Sequence, residues 1–170
     1  MLPEKLSNGL CSLKPHELRY VMTAEIHYNS EGQFAKSFFY PAVIQSKKRA
    51  TYEEVQSFFD GGNAEFEPEL QKSLKNMQKL ALKLIKDTDK RGSIGFDFPE
   101  AEVVFDQNGK VETIQRATRY FAHKLIEVCM IAANVAVAQY LHAHGAPVLY
   151  RVHDEPNEFK MGSFIQIIKA

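Results

Sequence analysis

The stretch QRATRYFAHKLIEVCMIAANVAVAQYLHAH, Gln115 to His144, decides how this chain is read. No Gly or Pro interrupts it, and Gly145 and Pro147 supply a stop just beyond, so it is predicted as one long helix. Its second half, Met130 to Ala138, is apolar nearly all round. A helix without a wet face belongs in the middle of a domain. Glu127 and Asn134 break the pattern, seven residues apart and therefore on nearly one face. A carboxylate in such surroundings is costly unless it is paired or faces a site. Two readings stand for Glu127: it caps a buried network or bonds a neighbouring loop, or it looks into a ligand channel.

Upstream of that helix, Asp106-Gln107-Asn108-Gly109 is a strong hairpin turn, entered along Glu102 to Phe105 and left along Lys110 to Gln115. Another short strand is expected over Ser93 to Phe98, after Arg91-Gly92. A second helix is predicted from about Pro68 to Lys86, where Leu70, Leu74, Met77, Leu80, Ala81, Leu84 and Ile85 recur at spacings of three and four. Its other face carries Lys72, Lys75, Lys79, Lys83 and Lys86, either a solvated face or an RNA contact. Before it, Thr51-Tyr52-Glu53-Glu54 opens a short helix with a capping box, which fixes how Tyr52 leaves the helix start. The preceding Lys47-Lys48-Arg49 is either a solvated loop or a phosphate contact.

Nearer the start, Arg19 to Tyr28 and Phe34 to Ser46 flank the turn Asn29-Ser30-Glu31-Gly32, a long antiparallel hairpin. Phe38-Phe39-Tyr40 and Val43-Ile44 put apolar residues on both faces of its return arm, so part of it is expected to be buried on both sides. Residues 1–18 read as loop. Downstream of the long helix come a short strand, Val148 to Val152, and an element starting at Phe159. The expected fold is α+β: antiparallel hairpins packed on long helices around a central buried helix.

A chain of 170 residues is one domain's worth. Its 21 Lys and Arg balance 21 Asp and Glu, so nothing in the net charge advertises nucleic acid or membrane. Cys11 and Cys129 form no CxxC pair and read as buried thiols of a cytosolic protein. No uncharged apolar run is long enough to span a bilayer, and Met1-Leu2-Pro3-Glu4-Lys5 lacks the pattern of a signal peptide. The chain is expected to be soluble and cytoplasmic.

Catalytic constellations are missing. There is no G-x-S-x-G, Walker A, HExxH or glycine-rich dinucleotide turn, and no D-x-D or D-D cluster suited to magnesium. His142 and His144 near a helix C-terminus are explained by the helix dipole.

The block Leu2-Pro3-Glu4-Lys5-Leu6-Ser7-Asn8-Gly9-Leu10-Cys11-Ser12-Leu13 resembles a signature segment of the ribonuclease II/ribonuclease R family of processive 3′-to-5′ exoribonucleases. The resemblance continues through Arg49 to Tyr52, Arg91-Gly92, Ala122 to Asn134 and Leu149 to His153, over essentially the whole chain, in a pattern closer to ribonuclease R. It implies an RNB-type catalytic domain that hydrolyses RNA to nucleoside 5′-monophosphates with magnesium. On this resemblance Tyr52 matches a tyrosine that holds the last nucleotides of the RNA 3′ end. Glu127 matches a glutamate that contacts ribose, and Phe96 matches the aromatic residue that stacks on the final bases. The bland alternatives are that Tyr52 packs a helix start and Phe96 a strand core. Val128 stands where a second glutamate is usual, and Tyr120-Phe121 replaces a stretch commonly Asn-Asp.

The resemblance also implies what to expect of the ends. The magnesium-binding aspartates lie upstream of the matched segment, and an arginine at the scissile phosphate and an RNA-binding barrel lie downstream. Residues 1–170 are therefore expected to be a partial catalytic domain, with RNA-binding residues but no catalytic or metal-binding ones, inactive without its flanking parts. The rival expectation is a non-catalytic module kept for RNA binding or assembly. A third is a segment that folds poorly because its central helix lacks neighbours.

Overall fold

The computed structural model describes residues 2–62, 65–93 and 100–169. Two strands, β1 (Leu18–Tyr28) and β2 (Phe34–Gln45), form the first antiparallel hairpin, with a bulge between His27 and Tyr28. Asn29 builds its turn: the side-chain oxygen accepts the N–H groups of Glu31 (3.0 Å) and Gln33 (2.9 Å). A second hairpin pairs β3 (Ala101–Phe105) with β4 (Val111–Arg116), and Asp106 does the same work there, accepting from Asn108 and Lys110 at 2.8 Å each. Four α-helices complete the order: α1 (Tyr52–Phe59), α2 (Pro68–Lys90), α3 (Phe121–Ala143) and α4 (Glu158–Lys169). A short π-helix, Leu6–Leu10, occupies part of the segment expected as loop and leaves Cys11 exposed rather than buried.

The chain divides into two compact units, 1–138 and 139–170. In the first, α2 and α3 meet at a small core of Ala81, Leu125 and Val128, surrounded by Phe59, Met77, Leu84, Ile85, Phe121 and Cys129. Burial raises the Cys129 thiol above its ordinary pKa. The amphipathic stripe read from the sequence is thus the face of α2 that meets α3, while Lys72, Lys79 and Lys86 are exposed. Lys83 is not free: its ammonium donates to the Ser30 carbonyl in the β1–β2 turn. Helix α2 starts with Pro68 at its first position and runs to Lys90, four residues past the predicted end, until Gly92 turns the backbone at φ +82°. The run Asp87-Thr88-Asp89 has only modest helix propensity, but nothing in it breaks a helix already propagating.

Other expectations change as well. Helix α3 starts at Phe121, because Gln115 and Arg116 pair with Glu102 and Ala101 in the second hairpin. No residue of β2 is buried, so the return arm is not covered on both sides. In α3 the buried residues are Ala122, Leu125, Val128 and Ala136, whereas Met130, Ile131, Val135 and Val137 are exposed. By length and hydropathy α3 would also suffice to cross a bilayer, a test that core helices of soluble proteins pass too. It carries the Lys124–Glu127 ion pair, and its buried residues Leu125 and Val128 pack on α2.

In the second unit Tyr150 donates to or accepts from His142 Nδ1 at 3.3 Å, and His144 Nδ1 lies 2.8 Å from the Tyr140 carbonyl. Residues 148–152 form no strand. Among its described residues none is buried.

Candidate functional site

The capping box predicted at Thr51 is present. Thr51 Oγ1 accepts the Glu54 N–H at 3.2 Å and Glu54 Oε2 accepts the Thr51 N–H at 2.7 Å. That backbone donor is the main reason the Glu54 carboxyl sits below its usual pKa. Lys48, from the basic triplet, is occupied locally: it lies 3.5 Å from Glu54 and 4.5 Å from the centre of the Phe66 ring. Tyr52 is the first residue of the helix so fixed. The residue is 43% exposed, and its ring stacks on His123 of α3, centroid to centroid 4.0 Å at 19°.

A second contact ties the same two helices. Gln56, one turn after Tyr52, accepts the Ala122 N–H at 3.2 Å, satisfying one of the free donors at the start of α3. His123 Nδ1 accepts another, from Tyr120, at 3.1 Å. A backbone N–H can only donate, so Nδ1 is the unprotonated nitrogen and Nε2 carries the ring proton. The Tyr120 ring is also near-parallel to His123, 5.6 Å away at 18°, and Phe121 packs edge-on against Phe59 at 5.8 Å. Tyr120-Phe121 therefore adds one ring beside His123 and one ring to the core.

Four residues after His123, on the same face of α3, is Glu127. It is half-buried and paired: Lys124 Nζ reaches Oε1 at 2.8 Å and Arg119 reaches Oε2 at 3.1 Å. The Lys124 hydrogen bond is the first cause of its lowered pKa, with Arg119 adding to it, so the carboxylate is ionised at neutral pH. Pairing is how this residue tolerates its apolar helix. Val128 points the other way, into the core, so no second carboxylate stands beside Glu127. Asn134, on nearly the same face two turns on, is exposed.

Of the predicted site residues, Tyr52 and Glu127 are thus linked through one turn of α3, with His123 between them. Phe96 lies outside the described residues. Sequence reasoning missed His123, Gln56, Arg119 and Lys124. The spacing of His123 to Glu127 was visible, but the link from Gln56 to Ala122 joins residues 66 apart and has no local signal. Chemically the site offers an acceptor-only carboxylate between two cations and an aromatic face beside it. Among the described residues, no group of three His, Cys, Asp or Glu side chains could hold a metal ion.

A family model, the RNB domain, matches residues 1–170. Ribonuclease R of Aquifex aeolicus is 40% identical over all of this chain and 24% of its own length. Ribonuclease R of Escherichia coli is 38% identical over 99% of this chain and 21% of its own. The chain thus spans between a fifth and a quarter of these relatives. Among solved structures, Mycoplasma genitalium RNase R in complex with ribose methylated single-stranded RNA matches with TM-score 0.91 and 34% identity, over 99% of this chain and 26% of that one. Its complex with double-stranded RNA gives 0.90 at 34% identity, over 99% and 30%. The Dss1 exoribonuclease of Candida glabrata, 17% identical with TM-score 0.72 over 85% and 20%, shares the fold. Matched end to end by the family model and by ribonucleases R in sequence and fold, the chain belongs to the RNB domain family.

Proposed function

We propose that this chain forms one wall of the RNA channel in a 3′-to-5′ exoribonuclease of the ribonuclease R type, which hydrolyses RNA from its 3′ end to nucleoside 5′-monophosphates. One observation carries the reading: the whole chain matches ribonucleases R, one of them solved with single-stranded RNA. In this reading the exposed side of Tyr52 takes a base of the RNA 3′ end, and Phe96 stacks on another. Base stacking on an aromatic ring tolerates any sequence, as an exonuclease requires. Glu127 accepts a hydrogen bond from a ribose 2′-hydroxyl, a donor that DNA lacks. Arg119 and Lys124 leave the surroundings of that carboxylate net positive, which suits the neighbouring phosphates.

The described residues do not fit a magnesium site. In this reading the magnesium ligands belong to the complete enzyme, outside the described residues. The unpaired Cys11 and Cys129 suit a reducing, cytoplasmic setting.

Replacing Glu127 tests the sugar-reading role. Fluorescence anisotropy of Glu127→Ala should show RNA affinity falling about tenfold, the loss of one hydrogen bond to a charged group, with DNA affinity unchanged. A variant that keeps the wild-type ratio of RNA to DNA affinity would remove Glu127 from the reading.

A further inference from the structure

We propose that His123 is a positioning residue for the base-stacking platform: its ring backs Tyr52 and holds that ring where the terminal nucleobase of single-stranded RNA stacks. This rests on the reading of Tyr52 given above and adds a residue to it.

Tyr52 is the first residue of α1, where no preceding helical turn confines its side chain. A tyrosine so placed and so exposed has several staggered rotamers open to it. What selects one is the near-parallel stack on His123, at 4.0 Å and 19°. The stack occupies one face of the phenol ring, and with the residue 43% exposed the proposal places the base on the opposite face. A base arriving on that face would extend the column.

His123 can serve as backing only if its own ring is fixed. Its Nδ1 accepts the Tyr120 N–H at the start of α3, which fixes both the ring's orientation and its tautomer. The Tyr120 ring lies near-parallel to it as well. Gln56, by accepting from Ala122, sets the start of α3 against α1, so that the two stacked rings are held on elements joined to each other. The chain thus builds a platform from two helices far apart in sequence, and His123 is the piece common to the ring stack and the helix cap.

Two substitutions separate these jobs. His123→Phe keeps a ring to back Tyr52 and loses the acceptor. His123→Asn keeps an acceptor for the Tyr120 N–H and loses the ring. They are compared with wild type and Tyr52→Ala in anisotropy titrations of the chain with a labelled single-stranded RNA, alongside thermal unfolding and the ring NMR signals of Tyr52. The proposal expects His123→Asn to keep its unfolding midpoint near wild type, to shift the Tyr52 ring signals, and to bind RNA roughly two- to tenfold more weakly, the scale of an aromatic pair. His123→Phe should unfold earlier yet retain RNA affinity closer to wild type. Tyr52 ring signals that stay put in His123→Asn would overturn the positioning role whatever RNA does. So would RNA affinity that follows the unfolding midpoint rather than the presence of a ring. If Tyr52→Ala weakens binding but His123→Asn does not, the proposal fails and the reading of Tyr52 stands; if Tyr52→Ala binds as wild type, both fail.

Discussion

Glu127 carries a titration that can be checked apart from RNA. Its folded pKa is held below the ordinary glutamate value, first by the Lys124 hydrogen bond. The stability it adds is therefore fully present above the unfolded pKa, ~4.3, and is lost as pH falls through the lower folded value. The carboxylate is partly open to solvent, so the contribution is of surface size, about 0.2–1 kcal/mol. Glu127→Gln should lower the urea midpoint near neutral pH, and the difference should shrink as pH falls from neutral through the folded pKa. A gap between the two proteins that is the same at both ends of that range would contradict the ion-pair account. At this scale the sequence singled out Tyr52 and Glu127 and hid their partners. Glu127 stood out because a carboxylate on an apolar helix requires an explanation. Arg119, at a position where the chain has not yet become helical, gave no sign that it turns back to that carboxylate.

Elements were legible where a local rule decides them. The capping box at Thr51, the turns at Asn29 and Asp106 and the stripe on α2 each depend on neighbours within a few residues. Boundaries set by distant partners were not. The start of α3 depends on β3 claiming Gln115 and Arg116, and a strand over 148–152 would need a pairing partner that no nearby pattern reveals. One contact between elements yields a direct prediction. Gly32 has φ +86°, and a Cβ there would come within 2.8 Å of Lys83 Cβ on α2. Gly109 has a similar φ of +76° with nothing near it. Gly109→Ala should cost only the backbone strain, about 1–2 kcal/mol, and Gly32→Ala should cost clearly more. Equal shifts of their thermal midpoints would show that the first hairpin does not rest on α2.

For the whole molecule, the ordered blocks from Leu2 to His153 carried the family, and the family model and fold agree with them. Composition alone could not say which apolar residues would be covered. Met130, Ile131 and Val135 on α3 are exposed, as are Tyr20 and Met22 on β1. Apolar character read from a sequence is a demand for burial, and it does not name the surface that meets it. On the function proposed above, this chain is an RNA-contacting wall whose residues favour ribose. Anisotropy of the wild-type chain with a labelled single-stranded RNA and a DNA of matched sequence tests it most directly. Saturable binding, tighter for RNA and weakened by Tyr52→Ala, is the expected result. Equal affinity for RNA and DNA, or no binding to either, would contradict it.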